Sequence, residues 1–146
     1  MNENDYKRAK EYAKSTKYDK SKADLTGADL SGADLSEMNL FRVDLSKANL
    51  FNANLSHANL IEANLSNADL SYTNLSKANL QNANLSNADL SHANLSEADL
   101  LNVDLRETNL VYVNLTNVTL LGANLRGARV TIGDVVRKIE VHEGVD

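Results

Sequence analysis

Cysteine is absent from the 146 residues, so neither a disulfide framework nor a cysteine-ligated zinc or iron–sulfur site can form. No long apolar run occurs, so no segment reads as a membrane-spanning helix. The amino terminus is charged and polar and lacks the apolar stretch of a secretory signal, which makes a cytoplasmic chain the expectation. Charge of one sign does not dominate either. The net charge of −5 is spread unevenly: residues 1–22 hold seven basic and four acidic side chains, residues 23–130 hold six and twelve, and residues 131–146 hold two and four. A basic start and a mildly acidic middle are too weak to indicate nucleic-acid binding. Catalytic fingerprints are missing as well: there is no P-loop, no dinucleotide motif and no nucleophile elbow. The serines are many but periodic, and none has a local base that singles it out. The expectation is a chain that is not an enzyme, with no catalytic residue, cofactor, metal or small-molecule substrate.

What is present is a strict period of five. Leucine occupies every fifth position from Leu25 to Leu125, twenty-one times without a break. Two residues before each leucine stands a small or medium residue, usually alanine, with Met38, Val43, Thr73, Val103, Thr108, Val113 and Val118 as the exceptions. One residue before is Asp or Asn throughout, save Thr119. An α-helix would scatter leucines spaced by five around its axis. A flat strand would flip each leucine to the opposite face, because side chains alternate with period two. A corner in every unit resets the phase and lets leucine and alanine both point inward, so the chain winds into a β-solenoid.

The residue after each leucine measures the coil. It is mostly serine, but large apolar residues stand at Phe41, Ile61, Leu101 and Leu121. Their spacing of 20, 40 and 20 aligns them in one column only if four units make a coil. Slightly more than five coils, ~4.8 Å apart, give a rod of roughly 25 Å.

The run Ala23-Asp24-Leu25-Thr26-Gly27, or Ala53-Asn54-Leu55-Ser56-His57, resembles the pentapeptide-repeat family over about three quarters of the chain. The resemblance implies an all-β fold, a right-handed quadrilateral β-helix. It also brings an alternative function, since some members mimic duplex DNA and act on type II topoisomerases such as gyrase. This chain departs from that group: no loop interrupts the repeat, and residues 23–130 carry a net charge of only −6.

Three parts are expected. Residues 1–22 form an N-terminal helical cap, with a helix from Asn4 to Lys17 whose Tyr6, Ala9 and Ala13 share a face. Residues 23–130 form the solenoid. Residues 131–146 form a C-terminal capping segment, with a short helix that begins at Asp134 and runs to about His142. The expected interaction face is the column Phe41, Ile61, Gln81, Leu101 and Leu121. Its order is symmetric about Gln81, so an antiparallel two-fold would set Phe41 against Leu121 and Ile61 against Leu101 of a second chain. A neighbouring face stacks Phe51, Ser71, Ser91 and Val111 beside Tyr72, His92 and Tyr112, an aromatic ladder and a second contact. His57, between Glu37 and Lys77, reads as a solvated histidine, as do His92 and His142. The functional expectation is a non-enzymatic interaction module that forms a homo-oligomer, a dimer or higher, with an unnamed protein partner as a further prospect. No nucleic acid and no membrane are expected as partners.

Overall fold

The computed structural model describes residues 1–14, 24–132 and 135–138, the last four and Ile132 by backbone alone. One unit explains the period. The carbonyl of Leu25 accepts the amide of Ala28 at 3.0 Å, closing a β-turn through Thr26 and Gly27. The Asp24 side chain accepts the amide of Thr26 at 3.0 Å and so pins the residue before the turn. The same two bonds recur along the chain, as in Ala53 to Leu50 and Ser56 to Asn54.

Every turn places its third residue at positive φ, between +55° and +76°. Four of these twenty-one residues are glycine and six are asparagine, which suit that region. The others are Glu, Arg, Lys, His and Tyr; no β-branched residue stands there, because its Cβ substituents would clash most. Lys47 is exposed, with φ +60°. Lys47→Gly is therefore expected to raise the unfolding free energy by about 0.5–1 kcal/mol, and Lys47→Val to lower it by about 1–2 kcal/mol. Urea unfolding measures both; equal midpoints for the two variants would contradict this account of the turn.

Coils stack with an offset of twenty residues. Parallel bridges join Asp24 to Asp44, Asp44 to Asn64, and so on to Asp104 with Asn124. Between successive coils the leucine amide donates upward, as Leu25 to the Asp44 carbonyl at 2.8 Å, and the Asx amide donates downward, as Asn49 to the Ala28 carbonyl at 2.9 Å. Four five-residue units thus complete one coil, as the spacing of Phe41, Ile61, Leu101 and Leu121 predicts. Inside, Leu25 to Leu110 are at most 3% exposed, and the alanines beside them leave room for the stack. Thr73 and Thr108 replace alanine without an orphaned hydroxyl: Thr73 Oγ1 donates to the Leu50 carbonyl at 2.8 Å and Thr108 Oγ1 to that of Leu105 at 2.6 Å.

The first coil has no coil below it, so the amides and carbonyls of its Asx row lack partners of that kind. Helix α1, Glu3–Lys14, and the two residues before it meet this edge. The amide of Asn2 donates to the Asp29 carbonyl at 2.7 Å, and the Asp29 amide donates to Asp5 Oδ2 at 3.0 Å. Tyr6 donates its hydroxyl to the Asp34 carbonyl at 3.1 Å. The Arg8 guanidinium reaches the Asp24 carbonyl, and the Tyr12 hydroxyl that of Phe41. Ala9 is fully buried, and Tyr6 and Tyr12 pack on the core. The helix begins earlier than expected because Asn2 is its N-cap, its Oδ1 accepting the Asn4 amide at 2.9 Å. The expected extension from Ser15 to Lys17 lies outside the described residues. Among the described residues no helix is long and apolar enough to cross a membrane.

The other end departs from expectation. Strand β1, Asn109–Leu110, pairs in parallel with β2, Arg129–Ile132, and β2 pairs antiparallel with β3, Val135–Lys138. A strand therefore replaces the expected helix at Val135–Lys138. The local N-cap signal at Asp134 loses to tertiary context: β2 offers a free edge, and Val135 and Val136 favour a strand. Asp134 itself and residues 139–146 lie outside the described residues. Leu115 and Leu120 are each 36% exposed, so the last leucines do not share the full burial of the earlier ones.

Candidate interaction face

The residue after each leucine opens the turn and projects outward. Coil stacking brings these residues into columns. The amides of Arg42, Glu62, Asn82 and Asn102 donate to the carbonyls of Ile61, Gln81, Leu101 and Leu121, each at 2.9 Å. Phe41, Ile61, Gln81, Leu101 and Leu121 therefore stand one above another, as the period requires. The first four are half-buried, and Leu121, on the last coil, is 74% exposed.

The surroundings of the column hold details the sequence did not yield. Arg42 lies over the Phe41 ring at 4.9 Å and donates from Nε to Glu62 Oε2 at 2.7 Å. Gln81 is not free: its Nε2 donates to Asp99 Oδ2 at 2.7 Å. Residues 81 and 99 are two short of one coil apart, so the twenty-residue ruler would have found this pair. At the top, Gly122 has φ +72°, and a Cβ there would meet Asn102 Oδ1 at 2.1 Å. Glycine thus leaves room for the Asn102 side chain.

The aromatic ladder is present. Phe51 meets Tyr72 edge-on at 5.7 Å between centroids, Tyr72 stacks on His92 at 4.6 Å, and His92 stacks on Tyr112 at 5.1 Å. Phe51, Tyr72, His92 and Tyr112 are exposed, and Val111 is half-buried. The ladder is not on a neighbouring face. Phe51 follows Phe41 by ten residues, half of the twenty-residue coil, so the two strips lie on opposite sides of the rod.

The acidic rows are taken up by the fold. Hydrogen bonds from the Thr26, Ser31 and Ser36 side chains hold the carboxyls of Asp24, Asp29 and Asp34 below the usual carboxylate range. The Arg106 side chain does the same for Asp104. Burial opposes ionisation at Asp89, but bonds from Ser91 and Asn109 outweigh it. Asn amides interleave the acids, as Asn64 Nδ2 donating to Asp44 Oδ1 at 3.1 Å. His57 is exposed in its column, and Lys77 lies 3.8 Å from Glu97, a surface pair of little energetic weight. Among the described residues no group of three or more His, Cys, Asp or Glu side chains could hold a metal ion.

Comparison with known proteins follows the same lines. A family model described as pentapeptide repeats matches residues 21–56, 48–87 and 83–120. No curated protein matches the sequence. Among solved structures, the chain is similar to the pentapeptide repeat protein Rfr23 from the cyanobacterium Cyanothece 51142, at 33% identity and TM-score 0.68, over 69% of this chain and 82% of that one. It is also similar to AT2G44920, a pentapeptide repeat protein from the Arabidopsis thaliana thylakoid lumen, at 30% identity and TM-score 0.52, over 77% of this chain and 70% of that one.

Proposed function

This chain belongs to the pentapeptide-repeat family, and from that premise we propose that it is a non-enzymatic, cytoplasmic interaction module that pairs with a second copy of itself. In this reading the rod is a right-handed four-sided β-helix over residues 23–130, closed below by residues 1–22 and above by residues 131–146. One observation carries the reading of the function: a single outward column is apolar at four of its five levels and symmetric about the fifth. A two-fold axis through Gln81 sets two rods antiparallel. Phe41 then packs on Leu121 of the second rod and Ile61 on Leu101, the self-complementarity an isologous contact needs. One amide hydrogen of Gln81 is committed to Asp99, which leaves its other N–H and its carbonyl to pair with the same groups across the axis.

The contact is small. A patch of this size covers on the order of a few hundred Å² per rod, against ~800 Å² per partner in a standard stable interface, so the pairing belongs with weak, transient contacts. The DNA-mimic alternative has less support. A phosphate-like surface needs continuous rows of charge, yet asparagine outnumbers aspartate in the bridged rows, and acids are bridged directly only at Asp24–Asp44 and Asp69–Asp89.

The test is Ile61→Glu combined with Leu101→Glu. Both sites are half-buried, where serine is the usual occupant, so the rod stays folded. Light scattering at high micromolar protein is expected to fall from about twice the 16.0 kDa chain mass to the single-chain mass. The unfolding midpoint is expected to hold. A wild type that is already a single chain, or a variant that keeps the wild-type mass, overturns the reading.

A further inference from the structure

We infer that Arg42 fixes the direction and register of the pair by donating across the two-fold to Asn102 Oδ1 of the second rod. The inference rests on the pairing proposed above and names the polar contact that accompanies its apolar column.

The row beside the column carries it. Arg42, Glu62, Asn82, Asn102 and Gly122 stand one above another, each next to its member of the column, because their turns stack as that column does. All five have positive φ and lie on the turns at one corner of the rod. The proposed two-fold runs across both rods, so it reverses the levels and keeps each row on its own side. This row therefore faces itself in reverse, as the apolar column does. Asn82 meets Asn82 on the axis, and Arg42 meets the level of Gly122.

The two ends of the row are complementary. At the lower end Arg42 is held in place. It lies over the Phe41 ring at 4.9 Å, and its Nε donates to Glu62 Oε2 at 2.7 Å. The Tyr12 hydroxyl of helix α1 donates to the Phe41 carbonyl and so braces the same corner. The bond to Glu62 uses Nε and leaves the donors of Nη1 and Nη2 for a partner. At the upper end Gly122 has no side chain, and Asn102 takes that space: a Cβ on Gly122 would fall 2.1 Å from Asn102 Oδ1. Asn102 Nδ2 donates down to Asn82 Oδ1 at 3.3 Å, which fixes the amide with its oxygen at the Gly122 level. A cation with open donors thus faces a carbonyl oxygen, and a long side chain faces the level that lacks one. Symmetry makes the contact twice.

Parallel rods would not make this contact. Their two-fold runs along the rods, keeps every level at its own height, and sets Arg42 against the row of Asn39. Within one rod Arg42 and Asn102 are three coils, roughly 14 Å, apart. That is beyond hydrogen-bond reach and further than a Debye length at ordinary salt, so coupling between the two residues reports a contact between chains.

The test is a double-mutant cycle on the dissociation constant, read by sedimentation equilibrium. Its four proteins are wild type, Arg42→Met, Asn102→Asp, and both changes together. Arg42→Met keeps the aliphatic stem and removes the donors. Asn102→Asp places a carboxylate at the amide and suits positive φ as asparagine does. Arg42→Met is expected to weaken pairing about tenfold, and Asn102→Asp to tighten it about tenfold, as two symmetric contacts of exposed ion-pair strength would. In the Arg42→Met background, Asn102→Asp is expected to gain nothing. If wild type pairs and Asn102→Asp changes the constant by the same factor with or without Arg42, the contact is overturned and the pairing stands. A wild type that stays a single chain across the whole concentration series overturns the pairing, and the contact with it.

Discussion

Leu75→Ala is expected to lower the unfolding free energy by about 2–5 kcal/mol in urea. Leu75 is fully buried, with Leu55 and Leu95 one coil below and above it. The cost has two parts, the lost transfer of the side chain and the cavity it leaves. Collapse would recover part of the second, but here each neighbouring coil is held by bonds such as Leu75 to the Asn94 carbonyl at 2.7 Å and Asn74 to the Ala53 carbonyl at 2.9 Å. The backbone cannot settle into the gap without breaking that ladder. The same change at Leu120, which is 36% exposed, removes less buried area and is expected to cost about 1 kcal/mol. Equal losses at the two sites would mean that position in the rod does not govern the core.

Deleting residues 1–14 is the second large effect. The segment supplies five hydrogen bonds to the backbone of the first coil, through Asn2, Asp5, Tyr6, Arg8 and Tyr12. At a net 0.5–1.5 kcal/mol each, their loss alone amounts to on the order of 5 kcal/mol. The truncated rod would also present an open row of backbone donors and acceptors below the first coil, at Asp24, Asp29, Asp34 and Asn39, an edge that invites end-to-end association. A lower urea midpoint together with concentration-dependent aggregation is the expected result. An unchanged midpoint in the truncated protein would show that the first coil needs no cover.

Much of this was legible in the sequence because it repeats. A leucine every fifth residue excludes helix and flat strand, and Phe41, Ile61, Leu101 and Leu121 give the coil its length before any coordinates. What stayed hidden was whatever the period does not encode. The strand at Val135–Lys138 follows from the free edge of β2, which local capping signals cannot report. Leu115 and Leu120 look like every other leucine in the repeat, yet they sit on the last coil and are partly exposed. The place of the ladder was within reach: ten residues are half a coil, which puts Phe51 opposite Phe41. The turn geometry had a signal too, in the absence of Val, Ile and Thr from every position two after a leucine. Helix α1 was foreseen from Tyr6, Ala9 and Ala13, but the roles of Arg8 and Tyr12 depend on which carbonyls the first coil leaves open.

The apolar column is the feature on which the proposed pairing turns, and Gln81 lies at its centre. Because the chain has no cysteine, Gln81→Cys introduces a single thiol. Two such thiols can join only if their Cα atoms come within about 4.4–6.8 Å. Mild oxidation of Gln81→Cys is predicted to yield a disulfide-linked dimer, with Ser76→Cys on the adjacent face as the control that stays single. Gln81→Cys chains that cross-link no faster than the Ser76→Cys control would contradict the account.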